Sequence, residues 1–236
     1  MHIFIYKNLT ENLKNHFKIF DVKKKFIYIT IFMVAIIFLL SLFSPIPYNY
    51  LDSLAIGYKL KSLDNLYDYF IPFFSSLIII YIFFNDYNTN TYKILAFLNR
   101  RNFNYLIFYR WILYVSILCI STFLTGLIHY RSVSFLDITN IILSIRFIPN
   151  ILFLTSLVLL SACITKNIYA SILVLSTYYC IDFFSSGYVF KIFSIGFNSN
   201  NIYYTSSPEY YLFNRVLLTF TSFIFVYISC KISSKI

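Results

Sequence analysis

The chain alternates between long apolar runs and shorter polar breaks. Six runs stand out, at 26–44, 69–84, 105–128, 147–164, 168–184 and 212–230. A helix needs roughly 20 apolar residues to cross the hydrocarbon core of a bilayer, with shorter stretches reaching across by snorkelling ends. In hydrocarbon a crossing segment must satisfy its backbone hydrogen bonds internally, so each run predicts an α-helix. The first run is too long for the apolar core of a signal peptide, and the SLFSPIP that follows lacks a small-x-small cleavage site. Pro149 falls in the first turn of the fourth run, where a missing N–H costs least. Thr165-Lys166-Asn167 reads as a tight turn into the fifth.

The breaks differ in kind. Residues 1–25 carry Tyr6, Leu9, Leu13, Phe17 and Phe20 on one helical face and Lys7, Glu11, Lys14 and Lys18 on the other. That pattern predicts a helix lying in the membrane interface, stopped by Lys23, Lys24 and Lys25. Residues 45–69 read as a polar loop bearing Asp52, Asp64 and Asp68 against Lys59 and Lys61. A loop with His129, Arg131, Asp137 and Arg146 precedes the fourth run, and a Ser-, Asn- and Tyr-rich loop, 185–211, precedes the sixth.

The break at 84–110 combines helical periodicity with dense positive charge. Tyr87, Thr91, Ile94, Leu95 and Leu98 recur at three- and four-residue spacing, while Lys93, Arg100, Arg101 and Arg110 outweigh Asp86. An amphipathic helix between two spans is well placed to receive something from the cytoplasm. Periodicity alone favours the plainer reading, that a cytoplasmic loop is basic and helical.

Composition narrows the class. Hydrophobic residues are 59% of 236 and charged residues 12%, with a mean hydropathy of +0.73. Soluble domains carry about twice that charge, so the expectation is an all-α integral membrane protein. The net charge of +10 and pI near 9.3 are ascribed to lysine and arginine bias in cytoplasmic loops and not to nucleic acid. With six spans both termini share a side. One side holds Lys7, Lys14, Lys18, Lys23, Lys24, Lys25, Lys93, Arg100, Arg101, Arg110, Lys166, Lys231 and Lys235. The other holds Lys59, Lys61, Arg131, Arg146, Lys191 and Arg215. Thirteen against six puts both termini in the cytoplasm.

Candidate chemistry is sparse. Cys119, Cys163, Cys180 and Cys230 lie in apolar runs at irregular spacing, neither a disulfide framework nor a zinc pattern. No span has His, Glu or Lys at its centre, which disfavours an ion-coupled transporter. His2, His16 and His129 fall outside the spans, and the four glycines form no phosphate-binding loop. Catalytic, cofactor and metal residues are therefore not expected in this chain. Near the outer ends of the spans, Asp182, Arg146 and Arg215 form a candidate polar cluster, although a carboxylate so near the interface can simply reach water. The 28 Phe and 23 Tyr suit interfacial belts, with Tyr48, Tyr50, Tyr203, Tyr204, Tyr210 and Tyr211 near span ends, or an aromatic translocation surface.

Asp86, Asn90, Thr91, Lys93, Leu95, Arg101 and Arg110 together resemble the signature between the second and third spans of ABC-2 type transporter permeases. Asp86 stands where that family has Glu, Asn90-Thr91 where it has Gly-Thr, Asn99 near its Pro, and Arg110 at its usual basic residue. The span plan is similar too, including the interfacial N-terminal helix and Asn214-Arg215 opening the last span. The resemblance implies one membrane domain over 1–236, with the 86–101 helix docking in a separate cytoplasmic ABC ATPase that binds ATP-Mg. Its expected contact residues are Asp86, Thr91, Lys93, Leu95, Arg100 and Arg101. It also implies a second permease chain, contact with membrane lipid and a bacterial cell membrane, with export as the activity. The competing expectation is a non-transporting membrane protein, such as a bacteriocin-immunity or sensor subunit.

Overall fold

The computed structural model describes residues 22–43, 66–88, 92–93, 103–132, 136–185, 187–196 and 208–233. All regular structure among them is helical. The helices are α1 (Val22–Phe43), α2 (Ile71–Asn88), α3 (Phe103–His129), α4 (Ile138–Ile145), α5 (Ile148–Thr165), α6 (Ile168–Phe184) and α7 (Pro208–Ser233). The expected interfacial helix at 1–25 lies outside the described residues except for the first turn of α1, as do most of the loop at 45–69 and residues 197–207 of the loop at 185–211.

Each of the six apolar runs is a helix, and the longer ones overrun their expected ends by a few residues. Among the described residues, four stretches are long and apolar enough to cross a membrane: Leu66–Phe84, Tyr105–His129, Asn140–Thr165 and Leu212–Ser233. Ile27–Leu40 and Ile168–Phe184 are shorter apolar helices. Two expected loops are corrected. A π-helical turn, Leu66–Phe70, extends the second run backwards and buries Tyr67, Asp68 and Tyr69, which would be exposed in a polar loop. The expected loop after α3 contains α4, begun by Asp137, whose carboxylate accepts from the Ile138 N–H at 2.8 Å. His129, expected outside the spans, is the buried last residue of α3, its ring 4.8 Å from that of Tyr67.

Helix α5 is the centre of the bundle. It packs most extensively on α7, then on α2 and α6, and also touches α3, while α1 lies at the edge against α3. The turn between α5 and α6 is as tight as its sequence implies. Lys166 takes a left-handed conformation (φ 52°) and Asn167 caps α6 by accepting from the Tyr169 N–H at 2.9 Å.

The side-chain distribution is inside-out. Along α7, Leu212, Val216, Phe220, Phe223 and Tyr227 face outward, whereas Asn214, Arg215, Ser222 and Ser229 are buried beside Leu218 and Val226. Helix α4 likewise exposes Ile138, Ile141, Ile142 and Ile145 and buries Asn140 and Ser144. The buried hydroxyls mostly return to their own helix: Ser76 to the Pro72 carbonyl (2.8 Å), Thr155 to Ile151 (2.6 Å), Ser222 to Leu218 (2.6 Å) and Ser229 to Phe225 (2.6 Å). Small polar residues let helices approach closely without an unsatisfied group, while the outward apolar residues need an apolar surround.

Candidate functional site

Two groups of buried polar side chains hold the bundle, one at each end. The first surrounds the break between α2 and α3. Because these helices are antiparallel neighbours, the last turn of α2 meets the first turns of α3, and residues 24 apart in sequence become partners. Arg110 Nη1 donates to Asp86 Oδ2 in an ion pair, with the residues 1% and 4% exposed. Arg110 Nη2 also donates to the Ile82 carbonyl at 3.4 Å, and its guanidinium lies 4.4 Å from the centre of the Phe83 ring. Burial pushes the Asp86 carboxyl above its ordinary range, and the adjacent guanidinium draws it back down.

One residue further on, Tyr87 ties this corner to α5. Its hydroxyl is 3.1 Å from Cys163 Sγ, and its ring stacks on Tyr92 at 5.3 Å between centroids. Lys93, exposed, carries its ammonium 5.9 Å from the Tyr92 ring. The chain leaving α2 is thus fixed to two neighbouring helices before it enters the basic segment.

Of the residues expected to meet an ATPase, Asp86 turns into the bundle and Lys93 is presented outward. Thr91, Leu95, Arg100 and Arg101 lie outside the described residues.

The second group occupies the opposite end. Asp182, wholly buried rather than reaching water, receives three hydrogen bonds on Oδ2: from Ser194 Oγ (3.0 Å), Ile195 N (3.0 Å) and Gly196 N (3.3 Å). Asn150 donates to the Ile195 carbonyl (3.0 Å) and the Asp68 carbonyl (3.2 Å), and its Oδ1 accepts from Arg215 Nη1. Asn214 donates to the carbonyls of Ile192 (2.6 Å) and Ser194 (3.1 Å). Asp182 and Arg215 therefore share one network through the 194–196 loop and Asn150. Arg146 makes other contacts, donating to Tyr130 Oη at 3.3 Å and lying over the Phe147 ring at 4.7 Å.

Asn150, Asn214 and Asp68 are the network members that sequence reading passed over as site residues. The signal was present in Asn150, an amide two residues into an apolar helix.

The chemistry of both groups is that of fastening. Among the described residues no cluster of three or more His, Cys, Asp or Glu side chains is placed to hold a metal ion. All four cysteines are free thiols. What the arrangement offers is rigidity: the ends of α2, α3 and α5 are cross-tied, as are those of α5, α6 and α7. No protein-family profile, no curated protein and no solved structure matches this chain.

Proposed function

We propose that the chain is the membrane-spanning permease subunit of an ATP-driven ABC-2 type exporter, with six spans and cytoplasmic termini. In this reading a separate ATPase binds and hydrolyses ATP-Mg, and its closure is passed through the 86–101 segment to the spans. The membrane part rests on the inside-out distribution of side chains along α4 and α7.

The observation that carries the coupling part is the buried Asp86–Arg110 pair, reinforced by Tyr87 on α5. It makes both attachment points of the basic segment rigid, as a helix that transmits force requires. Asp86 then anchors the segment, and contact with the ATPase falls to Thr91, Lys93, Leu95, Arg100 and Arg101.

The test is co-expression with an ATPase chain encoded beside this one. Co-purification in detergent and ATP-dependent export from cells support the reading. A gene standing alone, with no ATPase partner and no export defect on deletion, favours the non-transporting alternative.

A further inference from the structure

Pro149 decides where α4 stops. It has no N–H to donate to the Ile145 carbonyl, and its ring crowds that carbonyl. Helix α4 accordingly ends at Ile145, and the chain turns through Arg146 and Phe147 before α5 starts at Ile148. At the other end Leu136 takes a left-handed conformation (φ 54°) just before the Asp137 cap. Asn140–Thr165 is apolar enough to be a single span, yet its helix is broken at this turn.

The contacts of α4 fix its direction. Asn140 Nδ2 donates to the Leu127 carbonyl at 3.1 Å, and Ser144 packs on Gly126, where an added Cβ would meet the Ser144 Cβ at 3.1 Å. Asn140 and Ser144 are about 6 Å apart along α4, whereas Gly126 and Leu127 are about 1.5 Å apart along α3. Helix α4 therefore crosses α3 rather than running beside it. Both contacts fall short of the end of α3 at His129, so α4 rests on the flank of α3 and not over its tip.

On the side away from α3, Ile138, Ile141, Ile142 and Ile145 are 71%, 39%, 61% and 45% exposed. Because α4 crosses, all four stand at nearly one depth. We propose that α4 lies in the plane of the membrane, with this stripe held among the acyl chains of one leaflet just beneath the headgroups. Three observations choose lipid as the occupant. The stripe is level with the final turn of Tyr105–His129, a stretch long and apolar enough to span. No charge interrupts it, since Asp137 and Arg146 stand beyond its two ends. Four isoleucines also fall far short of the roughly 20–30 residues a side that a standard protein interface takes, which disfavours a second copy.

Helix α4 leads directly into α5, so lipid holding α4 also fixes the entry of the helix whose Asn150 joins Arg215 to the 194–196 loop. The inference rests on the membrane reading alone and is independent of the exporter reading.

Depth-resolved quenching tests it. Trp111, the single tryptophan, is replaced by Phe, and one tryptophan at a time is introduced by Ile138→Trp, Ile141→Trp, Ile142→Trp or Ile145→Trp. The full chain is reconstituted in phosphatidylcholine brominated near either the head or the tail end of the acyl chain. Co-flotation with the vesicles tests the membrane reading separately. Head-proximal bromine should quench more at all four sites, and the ratio of the two quenchings should agree within about twofold, as for a helix at one depth. Repeating the series with Trp111 retained, and its fixed contribution subtracted, keeps the result independent of the Trp111→Phe background.

A ratio that falls steadily from 138 to 145 overturns the proposal, since seven residues of a crossing helix descend about 10 Å. Quenching by aqueous iodide in place of bromolipid puts the stripe in water and overturns it. Protection from both quenchers means that protein, such as a second copy, covers the stripe, and overturns it too. None of these results bears on whether an ATPase binds.

Discussion

Arg110, two turns into α3, is joined to Asp86 at the end of α2 by an ion pair that neither residue shares appreciably with solvent. Removing one member of a buried pair strands the other charge, at about 3–5 kcal/mol. Asp86→Asn and Arg110→Met should each lower the unfolding free energy in detergent by that order. The double variant Asp86→Leu/Arg110→Met should recover much of the loss, since no charge is left uncompensated. A double variant as unstable as the sum of the singles would mean that the two side chains act independently.

Asn150 fastens three elements at the opposite end, and its loss should be felt as several broken bonds. Asn150→Leu leaves buried carbonyls of Asp68 and Ile195 and the Arg215 guanidinium each short of a partner, at about 1–3 kcal/mol per group. Because Arg215 shares this network, Asn150→Leu and Arg215→Met should be non-additive. Their double variant should be less destabilised than the two effects combined, as a thermal-unfolding cycle can measure.

Gly196 is the last residue of the Asp182-bound loop, and a Cβ there would fall on the Tyr69 ring. Tyr69 is itself held between Tyr179 and Phe183, at 5.9 and 5.2 Å between centroids, so it has little room to yield. Gly196→Ala should destabilise by about 1–3 kcal/mol, the usual range for overpacking. Tyr69→Phe should not relieve it, because ring carbons as well as the hydroxyl lie in the way, whereas Tyr69→Leu should. Equal stability of Gly196→Ala and the parent in a thermal melt would contradict this packing.

The helices were legible in sequence because each apolar run is nearly span-length and bounded by charge, Pro or a turn. The Thr165-Lys166-Asn167 turn was legible too, as a short polar break between two apolar runs, although Asn167 as the cap of α6 was not. Helix α4 was not, although Asp137 followed by Ile138, Ile141, Ile142 and Ile145 is a cap and a helical stripe. Its charged boundaries, Arg131, Asp137 and Arg146, drew the segment into a loop. The polar groups were harder still. Asp68 sits amid loop-like residues and is buried only because the π-helical turn carries it inward. The pairing of Asp86 with Arg110 depends on the register in which α2 and α3 pack, which neither residue's neighbours specify. Arg146 and Asp182 have similar depth in sequence, yet aromatic rings hold one and a backbone loop the other.

For the proposed six-span arrangement, the charge split of thirteen against six predicts that both termini lie on the cytoplasmic side. Reporter fusions at residue 236 and within 190–205 should therefore label opposite faces of the membrane. Labelling on one face by both would end the six-span arrangement.

The central claim is that the basic segment between α2 and α3 receives the ATPase, and recovery of that ATPase tests it most directly. Lys93→Glu, Arg100→Glu and Arg101→Glu are compared with neutral Gln replacements, and ATPase recovery is normalised to inserted permease. Losing one partner of a desolvated interfacial charge pair costs about 2–5 kcal/mol. The charge reversals should therefore reduce ATPase recovery by about tenfold or more while the permease still inserts. Undiminished recovery and transport across the whole set would remove the segment from the mechanism. Loss of insertion or inverted topology, with coupling intact in whatever inserts, would reduce these residues to setting orientation.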